Sequence, residues 1–186
     1  MIVGGKTYRF RLRAKNVHGW SSAFSPELSV LASDIPAKPD PITTEINNQF
    51  VRISWTSLLN NNFEAITKYQ ILVQDSTGVM REVIPQCDGS TSVIVFQRFC
   101  EIPMTLLTSA PFSLSASTLI KAQIRAQNKI GWSPYSDLNT VGVVAQTAPL
   151  QMAAPTRDDL TTIMKLVVDW TAPSSDGAAA ITSYNL

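Results

Sequence analysis

Tyr8-Arg9-Phe10-Arg11-Leu12-Arg13-Ala14-Lys15-Asn16-Val17-His18-Gly19-Trp20-Ser21 is the stretch on which the fold of this chain turns. Tyr8, Phe10, Leu12 and Ala14 alternate with Arg9, Arg11 and Arg13. A period of two marks a strand with one face buried and one in water. The same pattern returns 112 residues later, from Ala14 to Ala126. There Ile120, Ala122, Ile124 and Ala126 alternate with Lys121, Gln123, Arg125 and Gln127, and Asn128, Gly131, Trp132 and Ser133 follow. Two further pairs repeat at a spacing of 115. Val51-Arg52-Ile53-Ser54-Trp55 matches Leu166-Val167-Val168-Asp169-Trp170, and Ile66-Thr67-Lys68-Tyr69 matches Ile181-Thr182-Ser183-Tyr184. All 4 tryptophans fall at repeat positions, which chance similarity would not produce.

A unit a little over one hundred residues long, built of short strands between Gly, Pro, Asn and Ser turns, is expected to be a β-sandwich. Tyr69, Ile71 and Val73 supply a further inward row, and no convincing amphipathic helix is visible. The fold class is therefore all-β, as tandem β-sandwiches. The expected division is the late part of one unit at 1–34, a complete unit at 35–147 and the early part of a third at 148–186. Partial sandwiches would expose sheet edges and apolar faces. The chain is thus expected to be a window on a longer array, the other reading being strand complementation between neighbouring molecules. Both connections, Ala32–Pro39 and Gln146–Gln151, carry proline and no Gly-Ser tract. They should be extended and semi-rigid, each unit adding on the order of 30–40 Å to a rod.

These residues resemble the fibronectin type III family, which implies that the all-β units are immunoglobulin-like sandwiches. Members carry a Trp at the end of the second strand, a Tyr in the third, and a Tyr-x-Phe-x-Leu-x-Ala-x-Asn-x-x-Gly run in the sixth. Trp55 with Tyr69, Trp170 with Tyr184, and Tyr8 through Gly19 match that set, and Trp170 through Gly177 is similar to the family's connection between second and third strands. The resemblance implies that Trp55, Tyr69, Trp170 and Tyr184 are core markers. The central unit departs from it at Ile120, where the first unit has Tyr8, so the corner hydrogen bond made by that Tyr should be absent or replaced there. The segment Met80–Leu107 is longer than usual for the family and holds both cysteines, Cys87 and Cys100.

That pair permits a disulfide. Its spacing suits two adjoining strands, and neither cysteine has another partner in the chain. The bond would contribute about 3 kcal/mol through loop entropy and would imply an oxidising, extracellular or cell-surface setting. The alternative is two reduced, buried thiols in a cytosolic protein. Trp20 and Trp132 each follow a glycine after the long strand, with Arg9, Arg11, Arg13 and Arg125 on the outward rows. Arginine over tryptophan is worth about 0.5–1 kcal/mol when exposed, and cytokine-receptor members of the family stack these residue types here. The same residues could instead form a patch for a partner protein or a glycan.

Other chemistry finds little support. Net charge is +1, unlike the strongly basic balance of nucleic-acid binders. No apolar run reaches bilayer length, so no direct membrane insertion is expected. Met1–Trp20 lacks the apolar block of a signal peptide. The 1 histidine, His18, is replaced by Ile130 in the second unit, an odd loss for a catalytic base. Nucleophile-elbow, phosphate-loop and zinc-protease patterns are missing. Asp34 with Asp40, and Asp158 with Asp159, are too few carboxylates for calcium, so no metal or cofactor is expected. Neither an Asn-x-Ser/Thr acceptor nor an Arg-Gly-Asp triplet occurs. The expectation is a non-catalytic extracellular structural or adhesive array, fibre formation being its extension, whose partners are neighbouring repeats, other surface proteins or glycans. A receptor ectodomain, an intracellular scaffold of the muscle-giant type and an accessory segment of an enzyme are the alternatives.

Overall fold

A computed structural model describes residues 1–58 and 60–185. In the central unit two three-stranded antiparallel sheets face each other. One is formed by β5 (Thr43–Asn47), β6 (Phe50–Ser54) and β9 (Phe99–Pro103), in the order β5-β6-β9. The other is formed by β7 (Lys68–Gln74), β8 (Met80–Glu82) and β10 (Ala122–Gln127), in the order β10-β7-β8. Alternation explains how they pack. Val51 and Ile53 of β6 point inward with Trp55 just beyond, and they meet Tyr69, Ile71 and Val73 of β7 and Ala122, Ile124 and Ala126 of β10. Ile53, Val73, Ile102, Ile120 and Ile124 are 0% exposed. The Trp55 and Tyr69 rings meet edge-on with centroids 5.2 Å apart. Burial raises the Tyr69 phenol above its ordinary pKa, as expected for an ionisable group in an apolar layer.

Turn chemistry sets the registers. Asn47 pairs with Phe50 across a two-residue loop in which Asn48 is left-handed, φ 55°, a conformation that Asn tolerates better than most residues. Between β7 and β8, Gly78 takes φ 89°. There the Asp75 carboxylate accepts bonds from the Thr77 N–H at 2.8 Å and the Val79 N–H at 2.9 Å.

The edge of β10 has a different partner. The segment from Trp132 to Asn139 runs beside it and bonds through side chains at every third residue. The Ala126 N–H donates to Ser133 Oγ (3.0 Å), the Ile124 N–H to Ser136 Oγ (3.1 Å) and the Ala122 N–H to Asn139 Oδ1 (2.8 Å). The Ser133 and Ser136 amides return bonds to the Ala126 and Ile124 carbonyls at 2.8 and 2.7 Å. All three side chains are buried.

Several expectations need correction. The long Met80–Leu107 segment contains two short helices, α1 (Ser92–Gln97) and α2 (Met104–Thr108). Thr91 caps α1, its hydroxyl accepting the Ile94 N–H, and Arg98 closes it in the left-handed region. Helices of six and five residues are too short to show an amphipathic period. The Cys87–Cys100 disulfide is present, with Cα atoms 5.2 Å apart. It does not join two strands: Cys100 lies in β9, but Cys87 lies in the turn after β8. Both cysteines are buried within the core cluster.

The flanking segments carry less structure. Upstream, β1 (Thr7–Phe10) pairs with β4 (Leu28–Leu31), and β2 (Lys15–Asn16) with β3 (Gly19–Trp20). Downstream, β11 (Thr156–Arg157) pairs with β12 (Val168–Asp169). The expected inward rows here are open: Phe10 is 56%, Leu12 73% and Leu166 89% exposed, because no second sheet faces them among the described residues. Trp170 and Tyr184, expected as core markers, are instead 43% and 47% exposed, because no sheet covers them among the described residues; Tyr184 lies outside any strand, with the two ring centroids 5.9 Å apart. The corner bond is made in the first unit, where Tyr8 Oη accepts the Val3 N–H at 2.7 Å. In the central unit Ile120 is fully buried, and the turn before it closes by a backbone bond from the Thr118 N–H to the Ser115 carbonyl.

Candidate interaction surface

The outward row of β10 and β7 carries the most organised polar group on the molecule. Arg125 points away from the core because Ile124 and Ala126 point into it. Its guanidinium carbon lies 4.6 Å from the ring centroids of both Trp132 and Tyr135. Gln70, opposite Arg125 in the register, accepts the Arg125 Nε–H at 2.7 Å and the Tyr135 hydroxyl at 2.6 Å on one oxygen. Its amide nitrogen donates to Glu82 on β8. The ladder is thus closed: a cation between two π faces, oriented by an amide that a carboxylate holds in turn.

The first unit builds a second stack. Arg13 lies 4.7 Å from the Trp20 ring and 4.9 Å from Phe24, with Lys15 Nζ 5.7 Å from Trp20. Arg9 and Arg11 do not join it. Arg9, in β1, and Arg11, just beyond it, pair instead with the Glu27 carboxylate just before β4, at 3.5 and 3.3 Å. Tyr135 and Phe24 stand at different offsets, three residues after Trp132 and four after Trp20, so the repeat does not reveal them.

A third stack, also unforeseen, lies on the opposite sheet. Arg52 covers Phe99 at 4.5 Å and donates to Glu101 from Nε at 3.0 Å and from a terminal nitrogen at 2.7 Å. Glu45 lies 3.4 Å from the same guanidinium. The Asn47 amide, first, and Arg52, second, lower the Glu101 pKa. The alternation Arg52/Phe99/Glu101 across β6 and β9 carried that signal, but the two strands are far apart in sequence.

In the central unit each face of the sandwich therefore presents an arginine over an aromatic ring and anchored by an acceptor. Such a group can hold planar or anionic partners by stacking and by its remaining N–H donors. Nothing in these clusters pairs a nucleophile with a base. Among the described residues no three His, Cys, Asp or Glu side chains gather where a metal could be held. His18 lies exposed in its turn, its own N–H donating to Asn16 Oδ1 at 2.9 Å. Among the described residues no helix is long and apolar enough to cross a membrane. Beneath the first unit, Ile2, Tyr8, Phe10, Val30 and Phe63 border an apolar cleft of about 620 Å³.

No family model matches the chain. Its structure is similar to that of a domain segment of titin, with 18% identity over 70% of this chain and 38% of that one, at a TM-score of 0.46. It is also similar to the FN1–FN3 domains of chicken CNTN1, with 18% identity over 93% of this chain and 54% of that one, at a TM-score of 0.45. The chain thus spans about two-fifths to one-half of the length of these structures. Two facing antiparallel sheets with the Trp55–Tyr69 pair between them make the segment from Ile42 to Ala145 an all-β sandwich of the fibronectin type III-like fold.

Proposed function

We propose that this chain is a segment of an extracellular or cell-surface structural or adhesive protein, built as a tandem array and able to extend into fibres. Its partners would be neighbouring repeats of the same or identical chains, with other surface proteins or glycans meeting the Arg–aromatic faces. The observation that carries the reading is the reuse of one structural vocabulary at a spacing of 112–115 residues, with the Arg–Trp stack rebuilt at Arg13–Trp20 and Arg125–Trp132. The buried Cys87–Cys100 bond supports the extracellular part, since such bonds persist in oxidising compartments. Function in such an array lies in length, stiffness and surface contacts.

Electron microscopy of the native material from its source tests this. The expected outcome is long unbranched filaments with an axial period of one or two unit lengths. Separate short rods, or particles tethered to membrane, would remove the fibre reading and favour a receptor ectodomain.

A further inference from the structure

Each connection is held from both sides, with one residue left between the two holds. Ala32 is bound to the first unit: its carbonyl accepts the Gly5 N–H at 2.8 Å, and its N–H donates to the Lys6 carbonyl at 2.9 Å. Asp34 and Ala37 are bound to the second unit, their N–H groups donating to the carbonyls of Asn62 (3.3 Å) and Asn60 (3.2 Å) in the loop between β6 and β7. Asn62 Nδ2 adds a bond to the Ile35 carbonyl, and Asn128 Nδ2 one to the Asp34 carbonyl. Only Ser33 separates the two sets.

The second connection repeats the device. Ala145 exchanges bonds with Ser117 and Thr118 at 3.0 and 2.8 Å, while Thr147 and Leu150 donate to Gly177 and Ser175 at 2.9 and 3.0 Å. Only Gln146 lies between, and it is itself tied to both sides, its N–H donating to Met104 Sδ at 3.3 Å and its side chain to the Ala178 carbonyl at 3.1 Å. The receiving loops share a backbone as well: Asn62 and Phe63 take φ 53° and 66°, Gly177 and Ala178 take 73° and 63°. In the preceding units Gly5 and Ser117 correspond, at φ 76° and 67°.

What differs is side-chain size at one place. Phe63 crosses to the first unit and lies on the Gly4–Gly5 turn. A Cβ at Gly4 would fall 2.7 Å from Phe63 Cε2, and one at Gly5 would fall 2.7 Å from Cδ1. The corresponding residues at the second connection are Ala178 and the Ala116–Ser117 turn. We propose that Phe63 and the Gly4–Gly5 turn form a size-keyed docking surface between successive units. Its partner is a preceding unit whose turn carries no Cβ, and it sets the angle of a joint that has one free residue. A bulky ring has room on a bare turn, whereas Ala at the matching place leaves room for a turn that carries side chains. The keying holds wherever the array is located, so its failure would leave the reading above untouched.

The test is the distribution of distances between spin labels in the full chain, attached through Val17→Cys and Val141→Cys. Both sites are exposed, at 94% and 78%, and the native disulfide stays closed. The parent should give one narrow distance. Gly4→Ala should shift or broaden it, because the ring must leave the turn. Adding Phe63→Ala to Gly4→Ala, which recreates the small-on-small pairing of the second joint, should return the distribution towards the parent's. An unmoved distribution in Gly4→Ala overturns the proposal. So does a double variant as displaced as the single one, which would place the effect inside the first unit instead.

Discussion

Asp75 shows how one carboxylate can organise a hairpin. It is 4% exposed yet ionised, because Arg81 Nε donates at 2.6 Å, the Thr77 hydroxyl at 2.7 Å, and two backbone N–H groups complete the set. Arg81 first, then Thr77, hold the carboxyl far below the usual carboxylate range. A group whose folded pKa is depressed stabilises the fold above its unfolded pKa and loses that contribution as pH falls through the folded value. Asp75→Asn is therefore expected to lower the urea midpoint at neutral pH. The gap between variant and parent should close progressively below about pH 4, the ordinary aspartate value. Urea titrations of both proteins across that range would show it. A gap independent of pH would mean that the carboxylate's charge contributes nothing. Nothing in the sequence singled Asp75 out, since an aspartate before a Gly turn reads as an ordinary turn residue until its four donors are seen together.

Among the elements, the disulfide-closed segment between β8 and β9 is the main departure from a plain sandwich. Cys87 anchors a turn to β9 and so holds α1 against the sheet by Ile94, leaving Val93 and Phe96 outside at 64% and 84% exposure. Opening the bond frees a loop with a sequence separation of 13. The loop-entropy relation then predicts a loss of about 3 kcal/mol, read as the difference in unfolding free energy with and without reductant, or in Cys87→Ser with Cys100→Ser. The strands β6, β7 and β10 were legible in the sequence because burial on one face imposes a period of two. The helices were not, since neither completes two turns. The Ser133–Ser136–Asn139 ladder was also hidden: its period is three, and serines after a tryptophan look like a solvated loop. Of the candidate surface, Arg125 with Trp132 and Arg13 with Trp20 were legible through the repeat. Gln70 and the Arg52–Phe99 stack depend on strand pairing that no local pattern displays, and Tyr135 and Phe24 stand at different offsets from their tryptophans, so the repeat does not mark them.

Taken as a whole molecule, the chain concentrates its core between Ile42 and Ala145, and the flanking sheets hold open faces. Stability should be graded accordingly, since protection from hydrogen exchange follows the buried, cooperative part of a structure. The amides of Ile53, Ile71 and Ile124 should exchange slowest. Those of Phe10, Val30 and Val168 should exchange about a hundredfold faster or more, a difference of roughly 3 kcal/mol in opening free energy. Mass spectrometry of deuterated peptides would measure this. Uniform protection along the chain would show that the flanking segments share the central unit's cooperativity.

The side-chain ladder along β10 has a consequence for a molecule present in many copies. An unpaired strand edge invites a second chain to add to it, and natural sheets must guard against that. Here the outward amides of Ala122, Ile124 and Ala126 are already taken by Asn139, Ser136 and Ser133, while Pro134 within the covering segment has no N–H to offer. A neighbouring copy could extend this sheet from β10 only by first breaking three side-chain bonds.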